Sequence, residues 1–126
     1  MKSKNAYIVI AHGSREKKAN AAFADFLKTF RKALPQRQVY GAFLGMAKPT
    51  IPESLEKAIG QGAQNIFILP LMFFPGRHIK EDIPKHIAAA KMKYPEVDFH
   101  YAGPVAVHPM MSRLLKANLR SARRMA

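Results

Sequence analysis

Short apolar runs alternate with amphipathic stretches along this chain, and the alternation predicts four strands and four helices. The first and third predicted strands are almost wholly apolar, as is typical of strands covered on both faces. They are expected at about 6–11, 38–44, 65–71 and 97–102. The helical segments repeat apolar residues at helical spacing, and we expect them at about 15–34, 51–61, 80–93 and from about 109 onward.

Strands that alternate with helices at this spacing form βαβ units with right-handed crossovers. The predicted fold is therefore α/β and doubly wound, with a four-stranded parallel sheet in the order 2-1-3-4 and helices on both faces. The length fits a single domain, residues 1–126. In this order strands one and three are neighbours whose connections leave in opposite directions, and a ligand crevice is expected at their carboxyl ends.

Single residues mark where the predicted helices begin and end. Ser14 is expected to cap the first helix, and Pro35 to end it. The second helix has Pro52 and Glu53 in its predicted first turn and Gly62 just beyond its predicted end.

Cysteine is absent from the chain, which excludes disulfides, thiolate metal sites and cysteine nucleophiles. No apolar run reaches the roughly 18 residues of a membrane span. The apolar run near the N-terminus is too short for a signal sequence. We therefore expect a cytoplasmic protein without a membrane span.

The charge balance is strongly basic, with a net charge of +13 and an isoelectric point near 10.4. Such a field favours a polyanionic partner: nucleic acid, an anionic membrane surface, or a small molecule with several carboxylates or phosphates. Part of the excess lies on the last predicted helix, where basic residues occur without acidic ones. These are Arg113, Lys116, Arg120, Arg123 and Arg124. They also fit an ordinary solvated helix face.

Two histidines follow the two strands that are predicted to be neighbours. His12 comes directly after strand one, and His78 lies in the loop predicted after strand three. Neutral imidazole ligates divalent iron, cobalt, nickel and zinc, so the pair fits a metal that is held and handed on. The alternative for His12 alone is a hydrogen bond to the backbone at a strand–helix junction. The other three histidines, His86, His100 and His108, are expected to be structural or peripheral.

The loop after strand three also contains candidate substrate contacts. Phe73 and Phe74 are predicted to be exposed, and over two facing histidines they would form an apolar platform for a flat aromatic ligand. Arg15, Arg77 and Lys80 flank the histidines, and their charges would suit peripheral carboxylates.

Three stretches of this sequence resemble a known family: AHGSR, AFLGMAKPTIPESLEKAIGQGAQNIFILPLMFFPGRHIKEDIP and GPVAVHPMMSRLL. They are similar to the short-form sirohydrochlorin chelatases, the CbiX type of the class II tetrapyrrole chelatases, over roughly residues 6–117. The resemblance implies insertion of a divalent metal (cobalt, iron or nickel) into the octacarboxylate macrocycle sirohydrochlorin, without ATP. It also implies a homodimer, a role in cobalamin or siroheme biosynthesis, and a metal that is substrate rather than a permanent cofactor.

The resemblance places the family's metal-binding histidines on His12 and His78, which we also take as the catalytic pair. The expected substrate-binding residues are Ser14, Arg15, Phe74, Arg77, Lys80 and Asp82. The sequence departs from the family at Gly45, where many relatives have a metal-binding glutamate, and at residues 105–107, where the family has Leu-Gly before His-Pro.

Three other functions remain compatible with the sequence. A non-catalytic tetrapyrrole- or metal-binding relative would fit the glycine at position 45, and a basic nucleic-acid-binding module would fit the net charge. A histidine phosphatase would fit the His-Gly pair after strand one, although Ala11 stands where that motif has an arginine.

Overall fold

The computed structural model describes residues 4–34 and 38–125, which form a single parallel sheet with helices. Numbered along the chain, the strands lie in the order two, one, three, four, which confirms the predicted fold class and strand order. Along the chain the elements are β1 (Asn5–Ala11), α1 (Lys17–Ala33), β2 (Gln38–Phe43), α2 (Ile51–Gly60), β3 (Asn65–Pro70), α3 (Arg77–Lys93), β4 (Asp98–Tyr101), a 3-10 helix (Val105–Val107) and α4 (Met110–Arg120).

The two central strands, β1 and β3, form the core because their side chains alternate between two covered faces. Ile8 and Ile10 of β1 are fully buried with Ile66 and Ile68 of β3, on the side that α2 and α3 cover. Burying side chains of this size stabilises the fold by roughly 2 kcal/mol each.

The opposite face of the sheet is covered by α1, which packs on β2 and β1. Phe23 and Leu27 of α1 are buried against Val9 and Val39. The helix sits close to β2 because Gly41 has no side chain: a Cβ there would lie 2.5 Å from Leu27 Cδ1. The helix anchors β2 and thereby holds the loop that follows this strand near the end of β1.

Several predicted boundaries were wrong by a few residues. The first helix begins at Lys17 rather than 15, so Arg15 and Glu16 precede it. The third helix begins at Arg77 rather than 80, so His78 lies in its first turn rather than in a loop. The last helix ends at Arg120. The predicted stop at Pro35 falls outside the described residues.

The second helix begins and ends as its sequence signals predict. Thr50 caps it: its Oγ1 accepts the Glu53 N–H, and the Glu53 carboxylate accepts the Thr50 N–H at 2.8 Å. These hydrogen bonds from Thr50 hold the pKa of Glu53 below its usual value. Gly62 beyond the helix adopts φ +95°. Within residues 4–34 and 38–125, no helix is long and apolar enough to cross a membrane.

Candidate active site at the carboxyl edge of the sheet

The predicted histidine pair lies at the carboxyl edge of the sheet. β1 and β3 are parallel neighbours, and both end at this edge. His12 follows the last residue of β1, and His78 is the second residue of α3, the helix that follows β3. Both side chains are exposed. The fold thus brings the two imidazoles to the same edge and leaves both accessible to a ligand.

The backbone of the His12 turn packs against the loop that follows β2. The Gly45 N–H donates to the His12 carbonyl at 3.1 Å, and the Leu44 N–H donates to the Ala11 carbonyl at 2.9 Å. Gly13 has φ +90°, and a Cβ at this position would overlap the Gly45 carbonyl oxygen. Glycine is required here both by the backbone conformation and by the close approach of the two chain segments.

Asn20 fixes the same turn from the first helix. The Ser14 N–H donates to Asn20 Oδ1 at 3.1 Å, and Asn20 Nδ2 donates to the Ser14 carbonyl at 2.8 Å. The carboxamide therefore satisfies both backbone groups of Ser14 at once. The role of Asn20 was not predicted from the sequence. The available signal was a side-chain amide in the first turn of the helix after His-Gly-Ser, a position from which it can reach back to the loop.

Ser14 does not cap the first helix as predicted, because the helix begins later than expected. The N-terminal cap of α1 is Glu16, which makes no side-chain capping hydrogen bond. The Ser14 hydroxyl instead accepts the Glu16 N–H at 3.0 Å, closing a local turn before the helix. This arrangement orders the chain between His12 and α1 and leaves Arg15 exposed on its outer side.

The junction that carries His78 is open. Gly76 precedes α3 in an extended conformation and makes no side-chain capping bond. The loop before it is anchored by Met72, which is buried and whose carbonyl accepts the Val105 N–H at 3.1 Å. Phe73 and Phe74 next to it are 54% and 89% exposed, as the sequence predicted. They are large apolar surfaces without cover in the described part of the chain.

Three of the predicted substrate-binding residues lie on the first turns of α3. Arg77 pairs with Glu81 at 3.5 Å on the surface, Lys80 is exposed, and Asp82 is half-buried. An exposed ion pair of this kind contributes little to stability, so the Arg77 guanidinium can exchange Glu81 for another carboxylate at little cost. The structure places these residues near His78 along the helix.

Position 45, where the family resemblance leads us to expect a glutamate, has free space for a side chain. Gly45 does not adopt a positive φ, and a Cβ added there meets no other atom within 4 Å. Its backbone bonds directly to that of His12. A side chain at position 45 would thus start beside the His12 turn and find free space.

No cluster of three or more His, Cys, Asp or Glu residues that could hold a metal occurs in the described ranges 4–34 and 38–125. The two imidazoles are therefore the candidate ligands, and they leave most coordination positions of a metal ion open.

A groove of about 850 Å³ lies along the outer edge of β2 between α1 and α2, away from His78. Side chains already satisfy the strand edge within it: Arg31 donates to the Val39 carbonyl at 3.1 Å and Ser54 to the Gly41 carbonyl at 2.6 Å. Blocking these carbonyls protects an edge strand from pairing with another chain. Neither His12 nor His78 lines this groove, so the candidate site is the carboxyl edge that carries the two histidines.

Comparison with known proteins places this chain in a family and identifies relatives with similar sequences. The CbiX family model matches residues 6–122. A sirohydrochlorin cobaltochelatase of Priestia megaterium is 32% identical over 113 residues, which are 89% of this chain and 36% of the relative. A sirohydrochlorin cobaltochelatase of Sulfurisphaera tokodaii is 29% identical over 109 residues, 86% of each chain.

A solved structure shares the same fold. The sirohydrochlorin chelatase of Bacillus subtilis subspecies spizizenii, in complex with cobalt, superimposes with a TM-score of 0.83 at 30% identity. The match covers 93% of the present chain and 50% of the Bacillus chain. The present chain thus spans about half of that protein and just over a third of the Priestia relative, whereas it matches most of the Sulfurisphaera one.

Proposed function

The chain belongs to the CbiX family, and from that premise we propose that it inserts a divalent metal ion, cobalt or else iron or nickel, into sirohydrochlorin without ATP. The observation that carries the proposal is the position of His12 and His78, two exposed imidazoles that follow neighbouring parallel strands. The activities named for the relatives support the reaction class. The product would enter cobalamin or siroheme biosynthesis.

The two histidines are proposed to divide the chemistry of insertion. The metal must lose part of its hydration shell, and the macrocycle must lose two pyrrole protons as its nitrogens replace water on the metal. Imidazole titrates near neutral pH, so it can bind the ion or accept a proton. His12 and His78 can each do either, and the two released protons pass through an imidazole to water.

The surrounding side chains are proposed to hold the macrocycle. Arg15, Arg77 and Lys80 are exposed cations beside the histidines, and they would pair with acetate and propionate groups of the substrate. Phe74 offers its exposed ring to the macrocycle face. The remaining two predicted contacts are the Ser14 turn and Asp82.

We also propose that the active form is a homodimer, because one sheet edge leaves a macrocycle open to solvent on its other side. The Bacillus chain is about twice as long as the part matched here, so a second half of similar length remains unmatched. Two-fold pairing of the present chain would supply that second half.

A non-catalytic relative that binds metal or tetrapyrrole is the second candidate, and the glycine at position 45 is the observation that favours it. Without the carboxylate, the site offers two neutral ligands in a chain of net charge +13. The family match does not favour the nucleic-acid or phosphatase alternatives.

Absorbance spectroscopy tests the proposal directly. Sirohydrochlorin is mixed with cobalt(II), iron(II) or nickel(II) at fixed pH and salt, with and without the protein. We expect at least one metal to enter the macrocycle faster than it does spontaneously. A spectral change on binding sirohydrochlorin, with no acceleration for any of the three metals, would establish the non-catalytic candidate instead.

A further inference from the structure

The groove along the outer edge of β2, which we call the β2 groove, has a strong excess of positive charge. Lys17 and Arg31 of α1, Lys48 of the loop after β2 and Lys57 of α2 line it, together with the carboxylate of Glu53. All four cationic residues are exposed, and none of them forms an ion pair with a carboxylate in the ranges 4–34 and 38–125. Four positive charges against one negative charge give the groove a field that attracts anions.

The backbone edge inside the β2 groove offers hydrogen-bond donors rather than acceptors. The carbonyls of Val39 and Gly41 already accept hydrogen bonds from Arg31 and Ser54. Because the N–H and the carbonyl of one strand residue point to the same side, the Gly41 N–H also faces the groove. A regular ladder with a second strand is therefore blocked, whereas a group that only accepts hydrogen bonds, such as a carboxylate, fits this edge.

Small apolar side chains lie between the charged residues of the β2 groove. Ala21, Ala24 and Pro49 line it and are exposed, and they leave room for larger apolar side chains of a ligand. The stretch of α1 from Lys17 to Arg31 is about 20 Å long. An extended peptide segment of about six residues spans the same length. The charge and the apolar surface are thus distributed along an elongated groove.

We propose that the β2 groove binds an extended acidic segment of a partner protein. Carboxylates of the segment pair with Lys17 and Lys48 at the end nearer the carboxyl edge and with Lys57 further along α2. Its apolar side chains lie against Ala24 between these charges. Cations spread along the groove favour an extended segment, because a compact anion would reach those at one end only.

The β2 groove reaches the turn that carries His12. Asn20 lines the groove and also holds both backbone groups of Ser14. A segment bound in the groove would therefore keep its protein next to the carboxyl edge of the sheet, without covering His12 or His78, which do not line the groove. The inference rests on the charges and shape of the groove and not on the proposed metal insertion.

Fluorescence anisotropy with a labelled peptide tests the proposal. The probe is a fluorescein-labelled peptide of about six residues in which glutamate alternates with leucine. We expect it to bind, with an affinity that falls as salt is added. The same peptide with glutamine in place of glutamate should bind at least about tenfold more weakly.

Charge variants with matched controls locate the binding. Lys17→Glu combined with Lys57→Gln should weaken binding of the acidic peptide at least about tenfold. The control combines Lys18→Glu with Lys91→Gln, which changes the net charge by the same amount at exposed residues that do not line the groove. Its affinity should stay within about twofold of the unmodified protein.

A steric variant tests the groove without changing its charge. Ala24→Trp fills the middle of the groove and should also weaken binding of the acidic peptide. Ala22→Trp adds the same side chain at an exposed position of α1 that does not line the groove, and it should bind the peptide as the unmodified protein does.

Other outcomes overturn the proposal. No binding of the acidic peptide, or equal losses in the two charge variants, would leave only attraction by the net charge. Tighter binding of inorganic triphosphate or of a single-stranded oligothymidylate, lost in the groove variant, would assign the groove to a small anion or to nucleic acid. Loss of peptide binding in Arg77→Gln but not in the groove variant would place the peptide at the histidine edge. None of these results bears on whether the protein inserts metal, which the absorbance assay decides separately.

Discussion

The two histidines of the candidate site are held very differently by the same fold. The His12 turn is fixed on two sides: Gly45 bonds to its backbone, and the Asn20 carboxamide holds both backbone groups of Ser14. The junction before His78 has no side-chain cap, and exposed phenylalanines precede it. The backbone that carries His12 is therefore held by several hydrogen bonds. His78 lies in the first turn of a helix that has no side-chain cap.

For the proposed metal insertion, this contrast would place a fixed histidine and an adjustable one at the same edge of the sheet. A fixed group defines the position of the reacting atoms, which lowers the cost of orienting them. A less constrained junction can adjust when the substrate arrives. The exposed Arg77–Glu81 pair lies on the adjustable side, where the guanidinium is free to change partners.

The same glycine-to-alanine substitution should destabilise the protein much more at the His12 turn than at the junction before His78. Gly13→Ala forces φ +90° on alanine and overlaps the Gly45 carbonyl, so we expect a loss of about 3 kcal/mol in the free energy of unfolding. Gly76→Ala meets no atom within 4 Å and keeps φ −71°, so it should cost no more than about 1 kcal/mol. Urea unfolding measures both, and equal losses would contradict the contrast between the junctions.

Removal of the Asn20 carboxamide should have the next largest effect. Asn20→Ala leaves the Ser14 N–H and carbonyl without their partner, which should cost about 2 kcal/mol of stability. Because the His12 turn then loosens, metal insertion should also slow in the protein that remains folded. Lys18→Ala, on the exposed side of the same helix, is the control and should stay within about 0.5 kcal/mol. A stable Asn20→Ala variant would remove Asn20 from the account.

Adding a carboxylate at position 45 should strengthen metal binding, with the smallest free-energy change of these three predictions. Gly45→Glu places a side chain in open space beside His12, and we expect the affinity for cobalt(II) to rise about tenfold, equivalent to about 1.4 kcal/mol. Calorimetric titration without tetrapyrrole measures it. Gly60→Glu adds the same charge at the end of α2, also without a close neighbour, and should leave the affinity unchanged. Equal affinities in the two variants would mean that position 45 does not face the metal.

The strand order could be predicted because few arrangements are open to four parallel strands that alternate with helices. The apolar runs at residues 8–10 and 66–68 identify two interior strands. Right-handed connections then limit the order in which four strands can be arranged. The predicted start of α2 was correct because Pro52 and Glu53 are local signals of a first helical turn. His12 and His78 could be assigned to the carboxyl edge from the sequence because each comes after a strand whose place in the sheet was predicted.

The rest could not be predicted because it depends on contacts between distant segments. The bond from Gly45 to His12 joins two loops, and the Asn20 side chain reaches back over six residues. Helix α3 begins at Arg77, three residues earlier than predicted. The helical pattern predicted α4, but it did not predict that Leu114, Leu115 and Leu119 would be exposed.

The most direct test of the central claim, that His12 and His78 act together at the carboxyl edge, is the rate of cobalt(II) insertion into sirohydrochlorin by single alanine variants. We expect His12→Ala and His78→Ala each to lower the catalysed rate at least about tenfold. His86→Ala removes a histidine two turns further along the helix that carries His78, and it should insert cobalt at the unmodified rate. If the His12 and His78 variants are folded and retain the full rate, the histidine pair is not the catalytic site.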